Sequence, residues 1–265
     1  MIALPGGGMP ARGVDGPSPT VAPAHVRPGC VPVSRRRRIS AAVIQAAASV
    51  FLCLGAHAAA HAGLCEQGRR QSPIDIVEPQ RAALPALQFE YRAAPLRLVN
   101  DGHTVRVRFA NGSRLVAGNE RYTLQQFHFH LPGGDRIAGE TFAMGMHFTH
   151  KSPSGQLVTL VLLFRVGSEN PALAALLPHL PAAGEAEHTV AGQTLDAAEW
   201  LPERHGYFAY DGSLTAPPCT EGVRWLVLKQ AQQLSPAQLA RLKTLIPDNA
   251  RAVQPLHGRR ILESD

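Results

Sequence analysis

The stretch YTLQQFHFHL, residues 122–131, alternates apolar side chains with polar ones and is typical of a β-strand. Successive side chains of a strand point to opposite faces, so Gln126, His128 and His130 share one face. The two phenylalanines between them share the other face. This segment therefore predicts a strand that buries an apolar row and presents a polar row with two imidazoles.

A second alternating stretch, FAMGMHFTH, covers residues 142–150. The same parity places Gly145, His147 and Thr149 on one face and His150 on the other. If the two strands lie side by side, three imidazoles meet at one point. Three histidines with a water in the fourth position form an open catalytic zinc site. Taken alone, the His-x-His pattern fits ordinary structural or exposed histidines equally well.

Other segments indicate more strands. Residues 105–109 alternate and are followed by Asn111-Gly112, which predicts a hairpin turn. Residues 156–166 form an almost continuous apolar run, which is typical of a strand buried on both faces.

Helices are expected to be few and short. Asn170-Pro171 begins one, and Ser235-Pro236 begins another that runs to about Leu245, each with a cap residue followed by proline at the first helical position. We therefore predict a mainly β, single domain over residues 63–265. It is built around a large, twisted, mostly antiparallel mixed sheet with a few short peripheral helices.

The N-terminal part has the composition of a leader. Arg35 to Arg38 precede an apolar run over residues 39–54 and then small residues up to 62, the order of a secretory signal peptide. The fully apolar part is about 15 residues, whereas a spanning helix needs about 20. We expect a signal peptide over 34–62, a secreted, periplasmic protein and no stable membrane insertion after cleavage. Residues 1–33 are a disordered extension or a mis-assigned start.

The charge balance argues against nucleic acid as a partner. The 26 basic and 20 acidic residues of the chain include six arginines and one aspartate within residues 1–62. What remains is close to neutral, with no basic excess to bind phosphates. No sequence feature indicates a particular oligomeric state.

Two of the four cysteines, Cys30 and Cys53, fall in the leader. Cys65 and Cys219 remain as an even pair in an exported domain, which predicts a disulfide bond, the alternative being two unrelated thiols. Closing a loop of about 155 residues could stabilise the domain by about 5 kcal/mol, as an upper figure.

Several ordered blocks carry a family resemblance. They are QSPIDI at 71–76, NDGH at 100–103, QFHFH at 126–130, MHF at 146–148 and SLTAPPC at 213–219. These blocks resemble the signature of the α-class carbonic anhydrases, in their bacterial secreted form. The resemblance covers about residues 65 to 262, nearly all of the chain beyond the leader.

The resemblance implies a function. It assigns Zn²⁺ to His128, His130 and His147, and it implies reversible hydration of carbon dioxide to bicarbonate and a proton. His103 matches the residue that passes the released proton to buffer, a task that suits an imidazole because it titrates near neutral pH. Thr215 matches the threonine that orients the attacking hydroxide.

The resemblance also assigns supporting residues. Gln126 and Asn249 match the partners that hold the rings of His128 and His130 through their N–H groups. The residues that match the carbon dioxide pocket are Thr149, Thr159, Leu214, Ala216, Val223 and Trp225.

The chain departs from the family pattern at two carboxylates. Gly134 stands where the family has a glutamate that receives the hydrogen bond of the orienting threonine, and Gly145 stands where a glutamate holds the third zinc ligand. Glu140 is not expected to substitute for the glutamate missing at 134. The departures predict an enzyme with a reduced rate. The alternative is a non-enzymatic, carbonic anhydrase-related binding protein on the same fold.

Overall fold

The computed structural model describes residues 63–110 and 112–265. The predicted extension and signal peptide, residues 1–33 and 34–62, lie outside the described residues. The strands are β1 (Asp75–Ile76), β2 (Gln80–Arg81), β3 (Leu87–Glu90), β4 (Ala94–Asn100), β5 (Val105–Arg108), β6 (Arg114–Ala117), β7 (Glu120–His130), β8 (Arg136–Ile137), β9 (Met144–Lys151), β10 (Leu157–Val166), β11 (His188–Leu195), β12 (Tyr207–Ser213), β13 (Glu221–Leu228), β14 (Gln232–Leu234) and β15 (Leu262–Glu263).

Most strands belong to one 13-stranded sheet with the main order β11-β4-β5-β7-β9-β10-β13-β12-β15-β2. β14 pairs with β10, while β6 pairs with both β3 and β7. β10 runs parallel to β13 and β14, and β15 runs parallel to β2, whereas the other pairs of this sheet are antiparallel. The predicted mainly β fold with a mostly antiparallel mixed sheet is confirmed.

The sheet has a core on each face. One face carries Phe127, Phe129 and Phe148, which are fully buried in the larger cluster. The opposite face carries a second cluster that includes Val161 and Trp225. The polar row predicted for residues 126–130 lies on this second face, beside its apolar residues.

The continuous apolar run over residues 156–166 contains β10. Both faces of this strand are covered, so apolar side chains are needed on both. Leu160 and Leu162 belong to the larger cluster, while Val161 and Leu163 belong to the second. All four are fully buried, which confirms the prediction of a central strand.

The two predicted helices begin after Asn170 and Ser235 as expected, whereas the helix at 63–67 and the two 3-10 helices were not predicted. Residues 63–67 are helical, α1 spans Pro171–Leu176 and α2 spans Pro236–Lys243, with two 3-10 helices at Leu177–His179 and Ala197–Trp200. The Asn170 side chain accepts from the Leu173 amide at 3.0 Å, and Ser235 forms a capping box with Gln238. Within the described part of the chain, no helix is long and apolar enough to cross a membrane.

The hairpin predicted at Asn111-Gly112 is wrong. β5 pairs with β4 and β7, whereas β6 pairs with β3 and β7. The eleven residues of β7 provide a ladder for both, so β5 and β6 follow one another along the same partner strand. The turn residues therefore interrupt an extended segment without reversing it. Asn111 itself lies outside the described residues.

The predicted disulfide is confirmed. Cys65 and Cys219 are joined with an S–S distance of 2.11 Å across a sequence separation of 154. Cys219 lies in the loop after β12, so the bond ties the beginning of the domain to that loop.

Candidate metal centre

Strand pairing brings the three histidines together. His128 on β7 is directly opposite His147 on β9, and His130 lies two residues further along the same face. Each ring offers a nitrogen, and these three nitrogens lie within 4.8 Å of one another. The Nε2 atoms of His128 and His130 are 3.0 Å apart. The parity of the two stretches therefore correctly predicted a cluster of three imidazoles that could hold a metal.

Burial keeps the rings neutral. It is the main cause that lowers the pKa of His128 and His147 well below the usual value, and it lowers the pKa of His130 to about 4. The neighbouring charges of His103 and Arg106 lower the pKa of His128 and His130 further. Because a metal binds neutral imidazole, the cluster is in its ligand form at neutral pH.

Gln126 contacts His128 as predicted, and a further residue holds it there. The Gln126 Oε1 atom lies 3.0 Å from Nδ1 of His128, and its Nε2 donates to the Thr149 hydroxyl at 2.7 Å. These bonds make Nδ1 of His128 the protonated nitrogen and leave Nε2 with a free lone pair. Thr149, predicted only as a pocket residue, is thus also the partner of Gln126. The sequence signal for this contact was that Gln126 and Thr149 are polar residues on the same face of two adjacent strands.

Asn249 lies beside His130, where its backbone and side chain act to raise the pKa of that ring against the larger lowering by burial. Its Oδ1 accepts from the Leu131 amide at 2.9 Å, and its Nδ2 donates to the carbonyls of His103 at 2.8 Å and Phe129 at 3.2 Å. These bonds hold the backbone on both sides of His130. In addition, the backbone amides of residues 249 and 250 donate to the Leu131 carbonyl. Nδ1 of His130 is buried without a hydrogen-bond partner among the described residues.

The glutamate that the family resemblance leads us to expect beside His147 is replaced by Gly145, and one nitrogen of the His147 ring has no partner among the described residues. Nε2 of His147 is buried without a hydrogen-bond partner in residues 63–110 and 112–265. A Cβ atom on Gly145 would lie 3.7 Å from this nitrogen and 3.2 Å from the Cα of Gly133. Glycine has thus allowed two backbone segments to approach closely where a carboxylate would hold the ring.

Gly134, the other position at which the family has a glutamate, lies against Pro73. A Cβ atom on Gly134 would lie 3.2 Å from Cγ of Pro73. Glu140, which is not expected to take the place of the glutamate missing at 134, is exposed and bound to Arg165 at 2.5 and 2.8 Å.

Asp135, directly after the two glycines, was missed by the sequence analysis. It is fully buried, and its Oδ1 accepts from the Ile74 amide at 3.1 Å and from the Tyr210 hydroxyl at 2.7 Å. Its Oδ2 has no hydrogen-bond partner in the described part of the chain. Burial raises the pKa of this carboxyl to about 6, against the lowering effect of its two hydrogen bonds.

Asp135→Asn is expected to change the pH dependence of stability. Because its folded pKa is raised, the folded chain binds more protons than the unfolded chain between about pH 4 and 6, and stability falls as the pH rises through that window. The ionised carboxylate costs on the order of 3 kcal/mol at pH 8. The asparagine side chain carries no charge and so removes this cost. It leaves one N–H group buried without a partner, which costs about 1–2 kcal/mol.

The variant should therefore be about 1–2 kcal/mol more stable than the parent at pH 8 and less stable at pH 4.5. Urea unfolding at both values measures this. Asp211→Asn, which changes an exposed carboxylate of β12, is the control and should differ by less than about 0.5 kcal/mol at either pH. An equal effect of Asp135→Asn at both pH values would contradict the assignment.

An apolar wall stands beside the histidines. The ring of Trp225 meets the His147 ring edge-on at 5.0 Å, and its Nε1 donates to the Ser213 carbonyl at 3.0 Å. Thr159 is opposite both Thr149 and Trp225 in the sheet, and Val223 is buried one alternation further along β13.

The remaining predicted residues lie in two segments. Leu214 and Thr215 are half-buried and Ala216 is exposed, all in the loop that Cys219 closes. His103 is exposed on the turn between β4 and β5. Its charge acts on His128 and His130, which places it within electrostatic reach of the cluster.

Known proteins are similar to this chain in sequence and in fold. A family model described as eukaryotic-type carbonic anhydrase matches residues 56–265. A carbonic anhydrase of Neisseria gonorrhoeae is 39% identical over 203 residues, 76% of this chain and 79% of that protein. The solved α-carbonic anhydrase of Photobacterium profundum matches with a TM-score of 0.72 and 36% identity, over 77% of this chain and 95% of that one.

A further solved structure, dioscorin in complex with ascorbate, matches with a TM-score of 0.70 and 30% identity, over 77% of this chain and 89% of its own. The family model covers most of the sequence, and the mixed sheet and the converging histidines agree with it. The chain belongs to the eukaryotic-type, or α-class, carbonic anhydrase family.

Proposed function

We propose that this protein catalyses the zinc-dependent, reversible hydration of carbon dioxide, at a reduced rate. The observation that carries the proposal is the cluster of three neutral imidazoles beside an apolar wall. The donor set fits zinc, since ligands at 2.0–2.1 Å in a tetrahedron are about 3.3 Å apart, close to the 3.0 Å between two of the nitrogens. Nε2 of His130 lies beside Nε2 of His128, and Nε2 of His147 lies beside Gly145, so Nε2 of His130 and Nδ1 of His147 would be the ligand atoms.

The chain's own residues would hold the ion. His128 would bind through Nε2 because Gln126 occupies its Nδ1, and His147 would bind through Nδ1 because its Nε2 faces Gly145. When bound, zinc lowers the pKa of a coordinated water to about 7 and so supplies hydroxide at neutral pH.

Other residues position the reactants. The Thr215 hydroxyl would orient the attacking oxygen, and the wall formed by Val223 and Trp225 would receive the apolar carbon dioxide. His103 takes up the released proton and passes it to buffer. The half-buried position of Thr215 and the exposure of His103 are consistent with these roles.

The reduced rate follows from the two glycines. Without a carboxylate at 134, nothing from that position accepts the proton of the Thr215 hydroxyl, so its direction is less fixed. Without a carboxylate at 145, the His147 ring lacks the partner that fixes its tautomer and raises its basicity. A zinc-holding binding protein is the second candidate, favoured by the same two replacements.

Stopped-flow measurement of carbon dioxide hydration separates the candidates. The zinc-loaded chain should have a kcat/KM above that of free zinc in the same buffer. Stoichiometric zinc with no rate above free zinc would favour the binding protein.

Restoring each carboxylate should act on a different step. Gly145→Glu is expected to raise zinc affinity by about 10 to 100-fold, because it places an acceptor beside Nε2 of His147. Gly134→Glu is expected to raise kcat at saturating zinc. Competition with a chromophoric chelator measures the first effect, and stopped flow measures the second.

The controls are Gly145→Ala and Gly134→Ala, which impose the same close contact with Gly133 or Pro73 without the charge. They should leave zinc affinity and kcat within about two-fold of the parent. If the glutamate variants fold, bind zinc and behave like the alanine variants, the missing carboxylates do not limit this protein.

We also propose export to the periplasm. The order of basic, apolar and small residues in the leader supports it, although that segment lies outside the described residues. The Cys65–Cys219 bond supports an oxidising compartment.

A further inference from the structure

An aspartate holds the turn that carries His103. Oδ1 of Asp101 accepts hydrogen bonds from the amides of His103 at 3.0 Å and Thr104 at 2.9 Å. Its other oxygen, Oδ2, lies 2.5 Å from Nη1 of Arg106. Partial burial acts to raise the pKa of Asp101, but the two amides and the arginine outweigh it and lower that pKa below its usual value. The carboxylate is therefore ionised at neutral pH and bridges the turn to Arg106.

Arg106 lies on the same face as the metal-site histidines. It is the β5 residue directly opposite His128 on β7, and residues directly opposite one another in a sheet point to the same face. The side chains of Arg106 and Asp101 are 33% and 32% exposed, so their ion pair lies at the rim of the site. The pair thus connects the turn to the strand beside the histidines.

The other side of the turn is also held. Nδ2 of Asn249 donates to the His103 carbonyl at 2.8 Å, and the Thr104 hydroxyl donates to the Phe129 carbonyl at 2.7 Å. The Thr104 bond links the turn directly to the end of β7, and Asn249 links it indirectly because its Nδ2 also donates to the Phe129 carbonyl. The backbone of His103 is fixed at its N–H and at its carbonyl, while its imidazole stays exposed.

We propose that Asp101 and Arg106 are positioning residues that hold the exposed imidazole of His103 over the three histidines for proton transfer. The inference rests on the proposed function, because His103 transfers protons only if the site hydrates carbon dioxide. A surface turn could be held by Asp101 alone. The added ion pair to Arg106 fixes the turn relative to the strand beside His128.

In the proposed function, proton transfer to buffer follows the hydration step, so a defect confined to it lowers kcat and leaves kcat/KM unchanged, whereas damage to the site lowers both. Arg106→Gln in the zinc-loaded chain should lower kcat by about three to ten-fold in dilute buffer, with kcat/KM within two-fold of the parent. Imidazole buffer should restore kcat, and Arg106→Lys should retain most of it. In a His103→Ala background, Arg106→Gln should have no further effect.

A second readout needs neither zinc nor turnover. In the metal-free chain, Asp101→Ala should speed hydrogen exchange of the His103 and Thr104 amides at least ten-fold, and Arg106→Gln should speed it less. Arg108→Gln is the matched control, since it lies on the same strand and face but pairs with Glu187. It should change neither readout.

Three results would overturn the inference. They are an equal fall of kcat and kcat/KM in Arg106→Gln, an effect that persists without His103, and unchanged amide exchange in Asp101→Ala. If instead the parent has no hydration rate above free zinc, the proposed function fails, and the exchange measurement still decides whether Asp101 holds the turn.

Discussion

Replacing His128, His130 or His147 with alanine is expected to abolish stoichiometric zinc and, with it, carbon dioxide hydration. The three nitrogens converge within 4.8 Å, and each variant leaves only two of them. If three ligands share an apparent binding free energy of about 10–16 kcal/mol, losing one weakens zinc binding by at least about 300-fold. Metal analysis after dialysis, followed by stopped flow on the same sample, measures both losses.

His150→Ala is the matched control, because His150 lies on the same strand as His147 but faces away from the site. Its Nε2 lies 2.8 Å from the Tyr91 hydroxyl and its Nδ1 lies 3.1 Å from the Phe148 carbonyl. This variant should keep one zinc per chain while its unfolding free energy falls by about 1–3 kcal/mol. Loss of zinc in His150→Ala without loss of the fold would contradict the strand register.

Removing the disulfide should have the largest effect on stability. Cys65 and Cys219 close a loop with a separation of 154 residues. Replacing both with serine releases the unfolded chain from this constraint and should lower the unfolding free energy by up to about 5 kcal/mol. Urea unfolding of parent and variant measures the difference.

The parent protein supplies the control for this prediction. Thiol titration of the unfolded, unreduced chain after export should find neither Cys65 nor Cys219 reactive. Two reactive thiols per chain would contradict the bond, and an unchanged urea midpoint in the serine variant would contradict its contribution to stability.

The parts of the fold that depend on local periodicity could be predicted. Alternation over residues 122–131 and 142–150 determined which side chains share a face, and the pairing of β7 with β9 then brings the three histidines together. The apolar run of β10 required apolar cover on both faces, and the structure provides it. The Asn170 and Ser235 caps predicted the helix starts because a cap needs only the next three residues.

The parts that depend on distant partners could not be predicted. An Asn-Gly pair favours a hairpin, but β7 is long enough to pair with β5 and β6 in succession, which the local pattern does not reveal. The bonds of Asn249 depend on where its loop meets the end of β7. The burial of Asp135 depends on packing against Ile74 and Tyr210, which are far from it in sequence.

Titrating zinc into the metal-free chain while recording carbon dioxide hydration tests the proposed function most directly. If His128, His130 and His147 form one catalytic site, the rate rises in proportion to added zinc and stops at one zinc per chain, above the rate of free zinc. A rate that stays at the level of free zinc throughout the titration, with the metal bound, would contradict a catalytic site.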